Sequence, residues 1–160
     1  MDHLKFFHNS KLPFPMSNTT QTGGLLKQRS LGGIFVHPLS LLTGGLAAVL
    51  FYVISSHEFT KENARHVINW YLSFLILFVV AFTLFYLGAD EMTVGGETVE
   101  WQLLPEPIAT IVALVGVLLL LVWMLAFLAT LVFSFVGMVK AIFGTAWKYP
   151  LSLSIIGDDP

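Results

Sequence analysis

The chain has no cysteine and few charged residues, and each shortage excludes a class of protein. Without cysteine there is no disulfide framework, no iron–sulfur cluster, no thiolate zinc site and no cysteine nucleophile. Only 11% of the 160 residues are charged, whereas about 25% are charged in an ordinary soluble domain. The net charge of −2 is too small to indicate nucleic acid as a partner.

The charged residues lie in clusters that leave three long stretches without Asp, Glu, Lys or Arg. These stretches have 28, 24 and 33 residues and cover Ser30–His57, His66–Ala89 and Pro107–Val139. A helix of about 20 apolar residues spans a bilayer, because hydrocarbon offers the backbone no other partner. The sequence therefore predicts an all-α integral membrane protein, a compact bundle of three main hydrophobic helices. We expect it to cross the plasma membrane of a prokaryote more than once, with the lipid bilayer as a partner.

The same pattern divides the chain into a central membrane domain and two tails. The expected parts are a flexible polar tail 1–30, a transmembrane domain 31–148 and a C-terminal tail 149–160. Within the domain the helices are expected at 31–56, 67–87 and 108–140, with an acidic loop at 88–107.

Two interruptions mark the first hydrophobic segment, His37-Pro38 and Gly44-Gly45. Proline removes a helix hydrogen bond and paired glycine weakens the helix that remains. One interpretation is a single kinked span. The other is a re-entrant segment, which requires its freed backbone groups to be buried in protein.

Small residues recur at helical spacing in the first and third hydrophobic segments. Such rows allow two helices to approach closely, and we expect these two segments to pack tightly together. The rows are Ser40, Gly44 and Ala48 in the first segment and Ala126, Thr130, Ser134 and Gly137 in the third.

The distribution of lysine and arginine predicts which side each loop faces. Loop 88–107 has five acidic residues and no basic one, so it is expected outside the cytoplasm. Residues 57–66 and the C-terminal tail carry basic residues and are expected inside. The side of the N-terminal tail depends on whether the first segment crosses once or re-enters.

A few polar residues are candidates for function or packing. His37 is an ionisable group within an apolar segment, where such groups are costly and often functional. Asn69 lies on a polar face of the second segment, which we expect to contact neighbouring helices. Glu62 and His66 share a helix face at a spacing of four. Ordinary ion pairs and packing hydrogen bonds also explain these residues. With no nucleophile motif or phosphate loop, we expect neither an enzyme nor a cofactor nor a metal site.

Two segments resemble the Tic-twenty-like proteins, which include a prokaryotic domain of unknown function and a chloroplast inner-envelope import component. Glu62–Trp70 is similar to the group's stretch E-H-A-(K/R)-x-A-(L/I)-N-(F/W), and Trp147–Ser152 resembles its ending Y-(R/K)-Y-P-L-(T/S). His37, followed by Ser40 and Leu41, is similar to an early His-Leu-Ser segment of the same group. The resemblance covers about residues 31–156 and implies a role in protein translocation or membrane-protein assembly. Asn63 stands where the group has His, which weakens any metal or proton role for that loop.

Two functions are compatible with these observations. The favoured hypothesis is a non-enzymatic component that binds other membrane proteins, or itself, through its small-residue helix faces. The alternative is an oligomeric channel or small-solute carrier, in which His37 and Asn69 line a pathway.

Overall fold

The computed structural model describes residues 29–157, which form four helices and one two-stranded sheet. The prediction of a mostly helical protein is confirmed, and the small sheet adds to it. The expected tail over residues 1–30 lies almost entirely outside the described residues. In chain order the elements are α1 Leu31–Thr43, α2 Leu46–Ile54, α3 Glu58–Leu87, β1 Glu91–Val94, β2 Glu97–Glu100 and α4 Ile108–Ile142.

The first hydrophobic segment is a hairpin of two short helices, α1 and α2. Ser30 begins α1 as its N-cap, because its hydroxyl accepts a hydrogen bond from Gly33 N at 3.1 Å. Gly44 and Gly45 separate the helices with φ values of 64° and 92°, a left-handed conformation that glycine adopts without steric cost. The chain reverses its direction at these two glycines. The first hydrophobic segment is therefore not a single kinked helix, which was one of our two interpretations.

Both ends of this hairpin lie at the beginning of α3. The Ser30 and Thr60 hydroxyls form a hydrogen bond with each other. A Cβ atom at Gly32 would lie 3.0 Å from Thr60 and 3.5 Å from Phe51, so the two arms and α3 meet there. Since α1 has 13 residues, it is about 20 Å long, shorter than a hydrocarbon core of about 30 Å. The hairpin therefore has the geometry of a segment that enters and leaves on one side.

The long helices α3 and α4 form the axis of the molecule. They have 30 and 35 residues, and both are apolar and long enough to cross a membrane, with little of their surface buried inside the protein. Helix α3 begins at Glu58 and not at the expected residue 67. The charged stretch 58–66 is helical because it buries one face, formed by Phe59, Thr60, Asn63 and Ala64.

A short antiparallel hairpin, β1–β2, connects the two long helices. Glu91 pairs with Glu100 and Val94 pairs with Glu97. The turn between the strands is Gly95-Gly96, with φ values of 63° and 91°, as a two-residue hairpin turn requires.

Candidate functional site

A cluster of three buried polar side chains lies where α1, α3 and the C-terminal tail meet. His37 Nδ1 is 2.9 Å from the Tyr149 hydroxyl, and His37 Nε2 is 3.0 Å from Asn63 Oδ1. The three side chains are almost completely buried. Buried polar groups require partners, and here each nitrogen of the imidazole has one.

The hydrogen bonds of this cluster assign one protonation state to its members. Asn63 Nδ2 donates to the Phe59 carbonyl at 2.8 Å, so Oδ1 faces His37 as an acceptor. His37 therefore carries its proton on Nε2, and its Nδ1 accepts from the Tyr149 phenol. Burial raises the pKa of Tyr149 above its ordinary value, which keeps the phenol protonated as this bond requires.

Aromatic rings enclose the tyrosine on the sides away from His37. Tyr149 packs against Trp70, Phe133 and Trp147, with ring centroids 5.3–5.9 Å apart. The indole N–H of Trp70 donates to the Thr130 hydroxyl at 3.0 Å, which ties α3 to α4 at the same level. Trp70 and Tyr149 thus belong to the buried hydrophobic core of the protein.

The tail that carries Tyr149 lies along α3, bound by side chains of the polar face of that helix. Asn69 pairs with the backbone of Ile156 in both directions, donating to its carbonyl at 3.1 Å and accepting from its N–H at 2.8 Å. The Ser73 hydroxyl accepts from Leu153 N at 2.8 Å. We expected this face to contact neighbouring helices, but it binds the C-terminal tail.

Two other polar candidates of the sequence, Glu62 and His66, lie near the start of α3, on either side of Asn63 in the sequence. Glu62 and His66 approach to 4.0 Å, as a spacing of four residues on a helix allows. Among residues 29–157, no three His, Asp or Glu side chains are placed to hold a metal ion. His37 and Asn69, the basis of the channel hypothesis, are both hydrogen-bonded to protein groups within the fold.

Small residues of α4 lie in its contacts with α1 and α3. A Cβ atom at Gly137 would lie 2.7 Å from the ring of His37, so the absence of a side chain there makes room for the imidazole. Ser40 of α1 and Thr130 and Ser134 of α4 are buried. Ala48 is buried in α2, and Ala126 packs beside the same core. Gly44, in contrast, has no neighbour within 4 Å of a Cβ position and serves the turn.

At the opposite end of α3 and α4, the β1–β2 hairpin exposes a set of carboxylates. Each strand residue other than Met92 is exposed. Glu91 and Glu100 lie directly opposite each other, and like charges in this arrangement repel. No lysine or arginine occurs between residues 66 and 139, so this end of the protein is strongly anionic.

Two members of the buried cluster, Asn63 and Tyr149, were not candidates in the sequence. Asn63 lies in a charged stretch that has the composition of a solvated surface, and Tyr149 lies in an aromatic run typical of a membrane boundary. The signal available for Asn63 was its position four residues after Phe59, on the face that α3 buries. Nothing local in the sequence indicates that Tyr149 meets His37, 112 residues away.

The structure is thus that of a small, mostly helical protein with two helices long and apolar enough to cross a membrane, an acidic hairpin at one end and a buried polar cluster at the other. A family model described as the magnetosome magnetite crystal formation protein family, MamF/MmsF, matches residues 27–156, and the chain belongs to this family. The family comprises small membrane proteins involved in the formation of magnetite in magnetosomes. No curated protein matches the chain, and no solved structure does.

The family match corrects the resemblance to the Tic-twenty-like proteins, which was wrong. The segments that carried it, 62–70 and 147–152, lie inside the matched region. In the structure they supply Asn63, Asn69 and Trp70 on α3 and Tyr149 on the tail, which bind one another or their neighbours. The residues of these short motifs therefore serve to pack the C-terminal tail on α3. The role in protein translocation that the resemblance implied has no support.

Proposed function

We propose that this protein spans the magnetosome membrane twice, through α3 and α4, and takes part in magnetite formation without catalysing a reaction. In this proposal the β1–β2 hairpin faces the compartment in which the crystal grows. The family match over residues 27–156 carries the proposal, and the anionic hairpin supplies the surface that would meet iron or the crystal.

The charges of the chain support this orientation. The basic residues of the described region lie near the base of the α1–α2 hairpin, the start of α3 or the end of α4. They are Arg29, Lys61, Arg65, Lys140 and Lys148. Basic residues near short loops favour the cytoplasmic side. The acidic hairpin, at the other ends of α3 and α4, then faces the lumen of the vesicle.

The chemistry of the hairpin supports contact with an iron oxide surface. Carboxylate oxygens are ligands for hard cations, and a cation between Glu91 and Glu100 would relieve their mutual repulsion. Because the acids of the hairpin are spread over two strands and not gathered around one point, the proposal is for contact with an extended surface.

A matched pair of charge variants tests this role in cells. In a magnetosome-forming bacterium that lacks the gene, we would express E91Q/E100Q and, as the control, E58Q/E62Q. Both variants remove two carboxylates, the first from the β1–β2 hairpin and the control from the start of α3. Electron microscopy should give a crystal-size distribution shifted toward that of the deletion strain for E91Q/E100Q alone. Wild-type crystals in E91Q/E100Q cells with a normal protein level would contradict the proposed role of the hairpin.

A further inference from the structure

The protein is much wider at the start of α3 than at its end. Of the nine buried residues of α3, eight lie between Phe59 and Trp70, and only Ala81 lies beyond them. The α1–α2 hairpin and the C-terminal tail cover α3 in that first part, through contacts such as Ser30 with Thr60 and Ile156 with Asn69.

The other end is narrow because glycines bring α3 and α4 together. A Cβ atom at Gly88 would lie 2.4 Å from Ala113 N, and one at Gly116 would lie 2.4 Å from Phe85 N. Only glycine permits backbones to approach this closely. The cross-section there is that of two tightly packed helices, whereas four helices and a tail share the wide end.

The wide part reaches into only one leaflet of a bilayer. Counting about 20 residues back from Leu87, at the end of α3, places the far hydrocarbon boundary near Ile68 and the midplane near Phe78. The hairpin turn meets α3 at Tyr71, whose ring lies 2.8 Å from a Cβ position at Gly45. The turn of the α1–α2 hairpin therefore enters the hydrocarbon and stops short of the midplane, while its base, at the level of Thr60, lies outside the hydrocarbon.

The surface of this wide part is suited to lipid. Near its turn the α1–α2 hairpin exposes large apolar side chains, including Leu42 at 82% and Leu46 at 68%. The tail adds Leu151, which is 93% exposed. Basic side chains at the same end, among them the exposed Lys140 and Lys148, suit anionic headgroups.

We propose that the α1–α2 hairpin and the tail form a wedge, covered by the acyl chains of the cytoplasmic leaflet, that makes the protein prefer membranes whose cytoplasmic leaflet is convex. A protein that occupies more area in one leaflet than in the other fits a bilayer that curves away from the wider side. A small vesicle with the acidic hairpin in its lumen has this curvature. The inference rests on the two-span topology proposed above and is independent of any contact between the β1–β2 hairpin and magnetite.

Reconstitution into vesicles of two sizes tests the wedge. Full-length protein is diluted from detergent into equal amounts of lipid as small sonicated and large extruded vesicles, both of phosphatidylcholine with phosphatidylglycerol. Flotation should recover at least about threefold more protein per lipid in the small vesicles. The variant L42S/L46S should lose this preference. The control L114S/L118S should keep it, because it makes the same change at residues of α4 that are 58% and 59% exposed in the other leaflet.

Three results would overturn the wedge, and they have different meanings. Equal recovery of wild-type protein in both sizes, with resistance to alkaline extraction, would refute the wedge and leave the two-span topology intact. Extraction by alkali would refute both. Disulfide crosslinking of a single cysteine at Leu46 in this cysteine-free chain, without a size preference, would show that a second copy covers the hairpin in place of lipid.

Discussion

Removal of one hydroxyl group, in Tyr149→Phe, tests whether the C-terminal tail is held by the imidazole of His37. The substitution keeps the ring that packs against Trp70 and Phe133, but His37 Nδ1 loses the donor that lies 2.9 Å away. An unsatisfied buried acceptor costs about 1–3 kcal/mol. The equilibrium between folded and unfolded protein should therefore shift by about 5–150-fold.

The assay is equilibrium unfolding in mixed micelles with increasing SDS, followed by tryptophan fluorescence. Trp70 and Trp147 both contact Tyr149, so their emission reports on this region. Tyr86→Phe is the matched control, since it removes the same hydroxyl from a ring near the narrow end, where Tyr86 packs on Phe82. We expect a lower midpoint for Tyr149→Phe than for this control.

A double-mutant cycle separates the hydrogen bond from other effects of the substitution. In a His37→Leu background the acceptor is absent, so Tyr149→Phe should cost little more than the control. An equal loss of stability in both backgrounds would refute the assignment of the phenol as donor to His37.

Two further predictions concern the tail and the topology. Asn69→Ala removes both bonds to Ile156, so trypsin should cleave after the exposed Lys148 several times faster than in wild-type protein, as followed by mass spectrometry. The control is Asn18→Ala, outside the described residues. An unchanged cleavage rate in Asn69→Ala would show that Asn69 does not hold the tail. In intact isolated magnetosomes, a membrane-impermeant thiol reagent should label Lys148→Cys. It should label Thr98→Cys only after detergent is added. The reverse pattern would contradict the proposed orientation.

The long helices could be predicted from the sequence because their cause is local. An uninterrupted apolar run must form a helix in hydrocarbon, and α3 and α4 contain the second and third runs. The hairpin shape of the first segment agrees with one of two open interpretations, since Gly44-Gly45 is compatible with either a kink or a reversal. The contact of Ser30 with Thr60 distinguishes them, and that contact depends on tertiary structure.

The buried cluster could be predicted only in part. His37 was conspicuous as an ionisable residue among apolar ones, but its partners were not. Asn63 looked like a member of a charged surface, and Asn69 looked like a contact between helices. Their roles follow from the path of residues 149–157 along α3, and an irregular segment has no periodicity from which such a path can be predicted.

The bond between His37 and Tyr149 also sets the order in which the protein can be completed during synthesis. Helix α1 leaves the ribosome early, yet the donor for its imidazole lies 112 residues later. Until residues 149–156 have been released, His37 and the polar face formed by Asn69 and Ser73 have no tail to bind. A truncation before residue 149 therefore leaves the side chains of His37, Asn69 and Ser73 without the partners that the tail supplies.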